Sequence, residues 1–204
     1  MKPFHLGFNT GKHGILKQQI SVDRQLLNEE EVIRKSQQNP QEFRVLYEKY
    51  YRLIFLFILH RVGDKETTAD LTSQVFLKAL LNISRYDFRG LPFSAWLYRI
   101  AINECNDLFR RTKRARLVVL EDHAAEELYE EMFEHDEKDE LIRRLPVALE
   151  QLKPAELQLI ELRFMEKRQF KEVAHILGIT ENYAKVRVYR ILEKMKKSLV
   201  SYGL

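Results

Sequence analysis

The sequence predicts an all-α protein of two small helical domains, and three observations carry that prediction. Among 204 residues there are only seven glycines and five prolines, and Val/Thr-rich alternating runs are few. Apolar residues recur instead at helical spacing over several long stretches. Asn, Thr, Pro and Gly punctuate those stretches at the offsets where helices start and stop. An apolar content of 45% is enough to bury real cores.

Taken in order, residues 1–27 lack sustained periodicity and carry Gly7, Gly11 and Gly14, so they read as a tail. A short helix is expected near Glu29–Gln37. Asn39 can cap the next one, with Pro40 at the first helical position and Glu42 at the third. Phe43, Leu46, Tyr47, Tyr50, Ile54, Phe55, Ile58 and Val62 then form the core stripe of a long helix, which Gly63-Asp64 breaks. A helix from about Thr67 to Ile83 turns Leu71, Val75, Phe76, Ala79, Leu80 and Ile83 inward. After a loop, Pro92 opens a helix with Phe93, Trp96, Leu97, Ile100, Ala101, Cys105 and Leu108 on one face. These helices can close one core, residues 28–116.

Residues 117–138 are rich in Glu and Asp. Ala124 to Phe133 can be helical, but the composition suits a linker better than a core. A second helical domain spans 139–204. Pro154 starts a helix running to about Met165, Phe170 to Leu177 makes a short helix, Gly178 a turn, and Thr180 caps a last helix to about Val200.

The net charge of +4 conceals a pattern. Residues 41–112 carry +3 and residues 113–116 another +3, whereas 117–145 carry −8 and 146–204 carry +4. Two basic blocks joined by an acidic segment read as two polyanion-binding surfaces on one chain.

The C-terminal block has the helix-turn-helix pattern of short helix, glycine, polar cap and longer basic helix. Ala174 permits close crossing and Gly178 supplies the turn. Counting 100° per residue places Ala184, Val188, Ile191, Leu192, Met195 and Leu199 inward. Thr180, Asn182, Tyr183, Lys185, Val186, Arg187 and Arg190 are the candidate duplex contacts, with base edges read near the helix start and phosphates at its rim. An ordinary αα-hairpin with a solvated basic face is the competing reading.

The N-terminal block interleaves aromatics with cations. Phe88, Arg89, Trp96, Arg99 and Asn103 precede Arg110, Arg111, Lys113 and Arg114 on one turn-plus-helix unit, a pattern suited to unpaired bases stacked beside phosphates. Trp96 and Phe93 also suit a plain core role.

Together these residues resemble an extracytoplasmic-function sigma factor, the compact class of bacterial RNA polymerase specificity subunit. The carrying motifs are Asp70-Leu71-Thr72-x-x-Val75-Phe76-Leu77-Lys78-Ala79, Phe88-Arg89-Gly90-x-x-Phe93-x-x-Trp96-Leu97-x-x-Ile100-Ala101-x-Asn103, and Val173-Ala174-x-Ile176-Leu177-Gly178-Ile179. The resemblance implies a first domain that opens the minus-ten promoter element and a second that reads the minus-thirty-five element. It implies polymerase binding through Asp70, Leu71, Thr72, Gln74, Val75 and Phe76 on the clamp helices of the largest subunit. It also implies capture of a flipped base around Phe88, Arg89, Trp96, Arg99 and Asn103, and an anti-sigma protein as a further partner. Ala69 and Gln74 stand where the family commonly has glutamate, and Tyr183, Val186 and Tyr189 replace smaller or more polar residues.

A self-contained helix-turn-helix regulator is the alternative, but it has no need of the first two motifs. An enzyme is not expected: six histidines are scattered without HExxH, and no phosphate-cradling glycine loop is present. No cofactor or metal is implied, and the single Cys105 excludes a CxxC site or disulfide framework. No apolar run approaches the ~18 residues of a membrane span, and residues 1–9 lack a signal-peptide core, so a reduced cytoplasmic setting is the expectation.

Overall fold

A computed structural model describes residues 28–112, 116, 119–133 and 138–201, and among these residues there are helices and no strands. The tail 1–27, together with Lys113 and Arg114, lies outside the described residues.

Helix α1 (28–38) precedes a 3-10 turn at Pro40–Glu42, where Asn39 Oδ1 accepts the Gln41 amide at 3.1 Å. α2 (Phe43–Val62) ends on Gly63 in the left-handed conformation at φ +77°. α3 (Lys65–Asn82) is capped by Asp64, whose carboxylate accepts from the Thr67 amide at 2.8 Å. α4 spans Phe93–Thr112. Along α2 the inward set is Phe43, Leu46, Tyr50, Ile54, Phe57, Ile58 and Arg61, whereas Tyr47 is exposed and Phe55 and Val62 are half-buried. The expected stripe thus drifts by part of a turn, because a 20-residue helix buried by several neighbours has no single inward face.

Glu29 of α1 ties this unit together. Its buried carboxylate accepts from Tyr50 Oη, Lys49 Nζ at 2.8 Å and the Phe93 amide at 2.8 Å. The last of these is an orphan donor at the start of α4, so α1 both fills the core and caps the helix that carries the candidate bases' site.

The segment read from composition as a tether contains a packed helix, α5 (Asp122–Met132). Ala124, Ala125, Leu128, Tyr129 and Met132 are buried against the elements that follow. Their spacing is that of one helical stripe, and the glutamates occupy the opposite side. Composition alone averages over this amphipathicity.

α6 (Lys138–Glu150), α7 (Pro154–Ile160), a π turn (Glu161–Met165), α8 (Phe170–Leu177) and α9 (Glu181–Ser201) complete the second unit. Ala184, Val188, Ile191, Leu192, Met195 and Leu199 of α9 are all buried, as their spacing requires.

The two units meet. α8 packs on α4, and one apolar cluster runs through both. At the seam, Glu161 of the π turn receives Arg61 from α2 and Arg116 from beyond α4, with Arg61 Nε at 3.1 Å. The Arg61 side chain is wholly buried and that of Glu161 is 8% exposed. Burial alone pushes the Glu161 carboxyl upward, but the two guanidiniums outweigh it and hold it below the usual carboxylate range.

Candidate nucleic-acid interface

The loop before α4 is built by its neighbours. Gln37 Nε2 of α1 donates to the carbonyls of Ile83 and Tyr86 at 3.1 and 2.8 Å, fixing the chain where it leaves α3. Gly90, in the loop that carries Phe88 and Arg89, adopts φ +65°, a conformation open to glycine and costly for side chains. Arg89 is exposed and pairs with Asp87 at 3.1 Å, and Phe88 is half-buried. Tyr86 lies against Trp96 with ring centroids 4.7 Å apart, and Phe93 meets Trp96 edge-on at 5.3 Å. Burial, reinforced by Glu29 and Asp87, pushes the Tyr86 hydroxyl up to about 12. Phe93 is therefore core, whereas Trp96 is half-buried, one side held by rings and the other toward solvent.

Beyond Trp96, an open cleft of about 910 Å³ is lined by Trp96, Arg99, Ile100, Asn103 and Arg110, with Lys78 across from α3. Asn103 is exposed on it. Arg110 and Arg111 are exposed further along, Arg110 with Asp107 at 2.9 Å. Arg99 lines the cleft but is already engaged: its Nε donates to the Ile176 carbonyl of α8 at 3.2 Å. The cleft offers a ring surface, an amide and cations at one opening, the requirements for holding an unstacked base beside its phosphate.

The second surface is on α9. Gly178 is left-handed at φ +69°, and the Tyr183 amide donates to Thr180 Oγ1 at 3.2 Å, so turn and cap form as their residues require. Asn182, Tyr183, Lys185, Val186 and Arg190 are exposed along one side. Arg187 is half-buried and leans toward Glu156 of α7 at 3.9 Å, beside Lys194 at 2.9 Å. Tyr189, exposed, leans on Phe170 with ring centroids 6.4 Å apart. A row of amide, phenol, apolar side chain and cations without bulky cover suits a duplex groove.

The third surface is on α3. Leu71, Thr72, Val75 and Phe76 are buried, Thr72 bonding back to the Thr68 carbonyl at 2.7 Å, so they shape the helix from within. Asp70 and Gln74 are exposed, and Leu77 and Leu81 join them at 55% and 70% exposure. Positions 70, 74, 77 and 81 make one stripe. The alternation of leucines with the motif's own residues carried that signal, since Leu77 falls outside the inward spacing of Leu71, Val75 and Ala79. Exposed leucines on a helix otherwise rich in polar positions mark a contact surface.

Among the described residues, no group of three or more His, Cys, Asp or Glu side chains could hold a metal ion. Among them too, no helix is long and apolar enough to cross a membrane. Cys105 is buried, and burial pushes its thiol up to about 11, away from reactivity.

Comparison with known proteins places these surfaces in matched segments. The Sigma-70 region 2 family matches residues 46–116, and the Sigma-70, region 4 family matches residues 148–197. The chain is similar to the ECF RNA polymerase sigma factor BldN of Streptomyces coelicolor, at 32% identity over 162 residues, 77% of this chain and 60% of that protein. It is similar to the ECF RNA polymerase sigma factor SigX of Bacillus subtilis at 27% identity, over 77% of this chain and 83% of that one. It thus spans less than two thirds of the first relative and most of the second. A solved structure of CnrH in complex with the cytosolic domain of CnrY shares the fold at a TM-score of 0.55 and 19% identity, over 90% of this chain and 99% of that chain.

Proposed function

The chain belongs to the extracytoplasmic-function type of the sigma-70 family, and on that premise we propose that it directs core RNA polymerase to promoters without catalysis of its own. Residues 28–116 act as the unit that binds polymerase and opens the minus-ten element, and residues 139–204 as the unit that reads the minus-thirty-five element. The observation that carries this is the pairing of two unlike surfaces on one chain: a ring-walled cleft on α4 for single strands, and an open helix-turn-helix face on α9 for duplex.

Extruding a base from the duplex costs a few kcal/mol. Trp96 and its supporting rings return ~1–3 kcal/mol for each base stacked, and Asn103 hydrogen-bonds the freed edge. Arg110 and Arg111 follow the backbone, with Lys113 and Arg114 continuing the basic run in sequence. On α9, Asn182, Tyr183 and Val186 face base edges, and Lys185, Arg187 and Arg190 face phosphates. The largest polymerase subunit is received by the α3 stripe of Asp70, Gln74, Leu77 and Leu81, with Leu71, Val75 and Phe76 as its internal support. An anti-sigma protein is a further expected partner.

The test is gel filtration with bacterial core polymerase, comparing the chain with Asp70→Arg and Leu81→Asp. Co-elution that both substitutions abolish, with helicity retained, is expected. Tight duplex binding by the free chain with no co-elution would instead favour a self-contained regulator.

A further inference from the structure

The most outward position in the first turns of α9 holds an apolar side chain. Counting 100° per residue from the buried set Ala184, Val188, Ile191, Leu192, Met195 and Leu199, the residue opposite that set is Val186, which is 39% exposed. Asn182 precedes it by four residues and Arg190 follows by four, both exposed, so the three form one row along the helix axis. Tyr183 and Lys185 flank the row. Other groups on this side are drawn off or end it. Arg187 leans toward Glu156 of α7 at 3.9 Å, and Glu156 also pairs with Lys194 at 2.9 Å. Tyr189 leans on Phe170. Just beyond Arg190, Glu193 exposes a carboxylate that phosphates repel, so the usable row closes there.

We propose that Val186 and Asn182 give this duplex face its sequence preference. Val186 takes the 5-methyl group of a thymine and Asn182 takes an adenine, on base pairs one to two steps apart in the major groove. The inference rests on the promoter reading above and names the bases that are read.

The chemistry assigns each partner. An α-helix enters the major groove, about 12 Å wide, and not the minor groove, about 6 Å. Of the four bases only thymine presents a methyl group there. A valine neither donates nor accepts a hydrogen bond. Against a purine edge it removes water from polar groups and replaces nothing, whereas against the methyl it buries carbon on carbon. The Asn182 amide holds an acceptor and a donor side by side, the pattern that meets adenine N6 and N7 together. Four residues of helix rise about 6 Å and base pairs about 3.4 Å, which sets the spacing of the two bases. Arg190, a further four residues along, is left to the backbone.

The test assembles the full chain with bacterial core polymerase and offers a random-sequence duplex pool, with Val186→Ala and Asn182→Ala beside wild type. Both side chains are exposed, so both variants should keep wild-type helicity and melting temperature. Duplexes retained by wild type should share an adenine and a thymine one to two pairs apart. Val186→Ala should lose the thymine alone, and Asn182→Ala the adenine alone. On a retained duplex, deoxyuridine in place of that thymine deletes only the methyl. It should weaken wild type about fourfold, the worth of one buried methyl, and leave Val186→Ala unchanged. 7-Deazaadenine in place of that adenine should weaken wild type about fivefold or more and leave Asn182→Ala unchanged. A wild type indifferent to the uracil, or a Val186→Ala chain that still selects thymine, would overturn the methyl contact. Indifference of wild type to the deazaadenine would do the same for Asn182. Failure of the chain to co-elute with polymerase defeats the promoter reading instead, and the same selection with the chain alone then decides the bases. Duplexes retained without a shared sequence would defeat the base assignments while co-elution, and with it the promoter reading, stood.

Discussion

The candidate DNA-facing sides of α4 and α9 are alike in composition and opposite in availability. α9 presents Asn182, Tyr183, Lys185, Val186 and Arg190 to solvent, its core stripe fully satisfied behind them. α4 is in contact on several sides: Phe93 and Tyr98 are buried, Trp96 is half-covered by Tyr86, and Arg99 is bonded to α8. Only Asn103, Arg110 and Arg111 of its candidate contacts are exposed. On the proposed reading, the duplex-facing row is already open to solvent, whereas the strand-facing cleft shares its walls with neighbouring helices.

The largest effect is expected at Asn103. Asn103→Ala removes a hydrogen-bonding group that touches nothing needed for folding, so thermal stability should hardly change. One hydrogen bond to a flipped base is worth about 0.5–1.5 kcal/mol, so promoter opening should slow by up to about tenfold with closed-complex binding intact. Permanganate footprinting against a filter-binding assay separates the two, and equal losses in both would remove Asn103 from strand capture.

A smaller effect is expected from the mirror substitution. Arg190→Ala should weaken duplex binding a few-fold and lower the slope of log K against log salt by about 0.9, the signature of one phosphate contact. Opening of promoters already bound should not change. A slope identical to wild type would place Arg190 off the backbone and blur the contrast with α4.

How much of this was legible in the sequence differs between the same two regions. α8, the Gly178 turn, the Thr180 cap and the inward stripe of α9 follow from local rules, because spacing and turn chemistry act within a few residues. Asn103 at the cleft and Asp70 on the surface also follow from pattern. What did not follow is non-local. Glu29 capping α4 joins residues 64 positions apart, and the Arg61–Glu161 pair joins residues 100 apart. A charged residue in an apolar stripe gives no sign of which distant partner neutralises it. The same blindness hid the burial of Thr72 and the packing of α5, where acidic composition masked an apolar side.

The smallest effect is expected from pH. Glu166 sits at the seam, accepting from Tyr98 of α4, with Arg168 nearby and His60 and Glu121 lining the same 140 Å³ cavity. Burial raises its carboxyl above the ordinary value, and the Tyr98 hydroxyl only partly opposes this. On unfolding, the group returns toward its solvated value. A carboxyl raised in the fold supports folding while protonated, and that support is lost as pH rises through the raised value. Glu166→Gln keeps an acceptor for Tyr98 and removes the charge, so the variant should lose less stability than wild type as pH rises from acid toward neutral. Thermal denaturation across that range decides it: a variant that loses as much stability as wild type, or more, would mean that Arg168 attracts the Glu166 charge more strongly than burial opposes it.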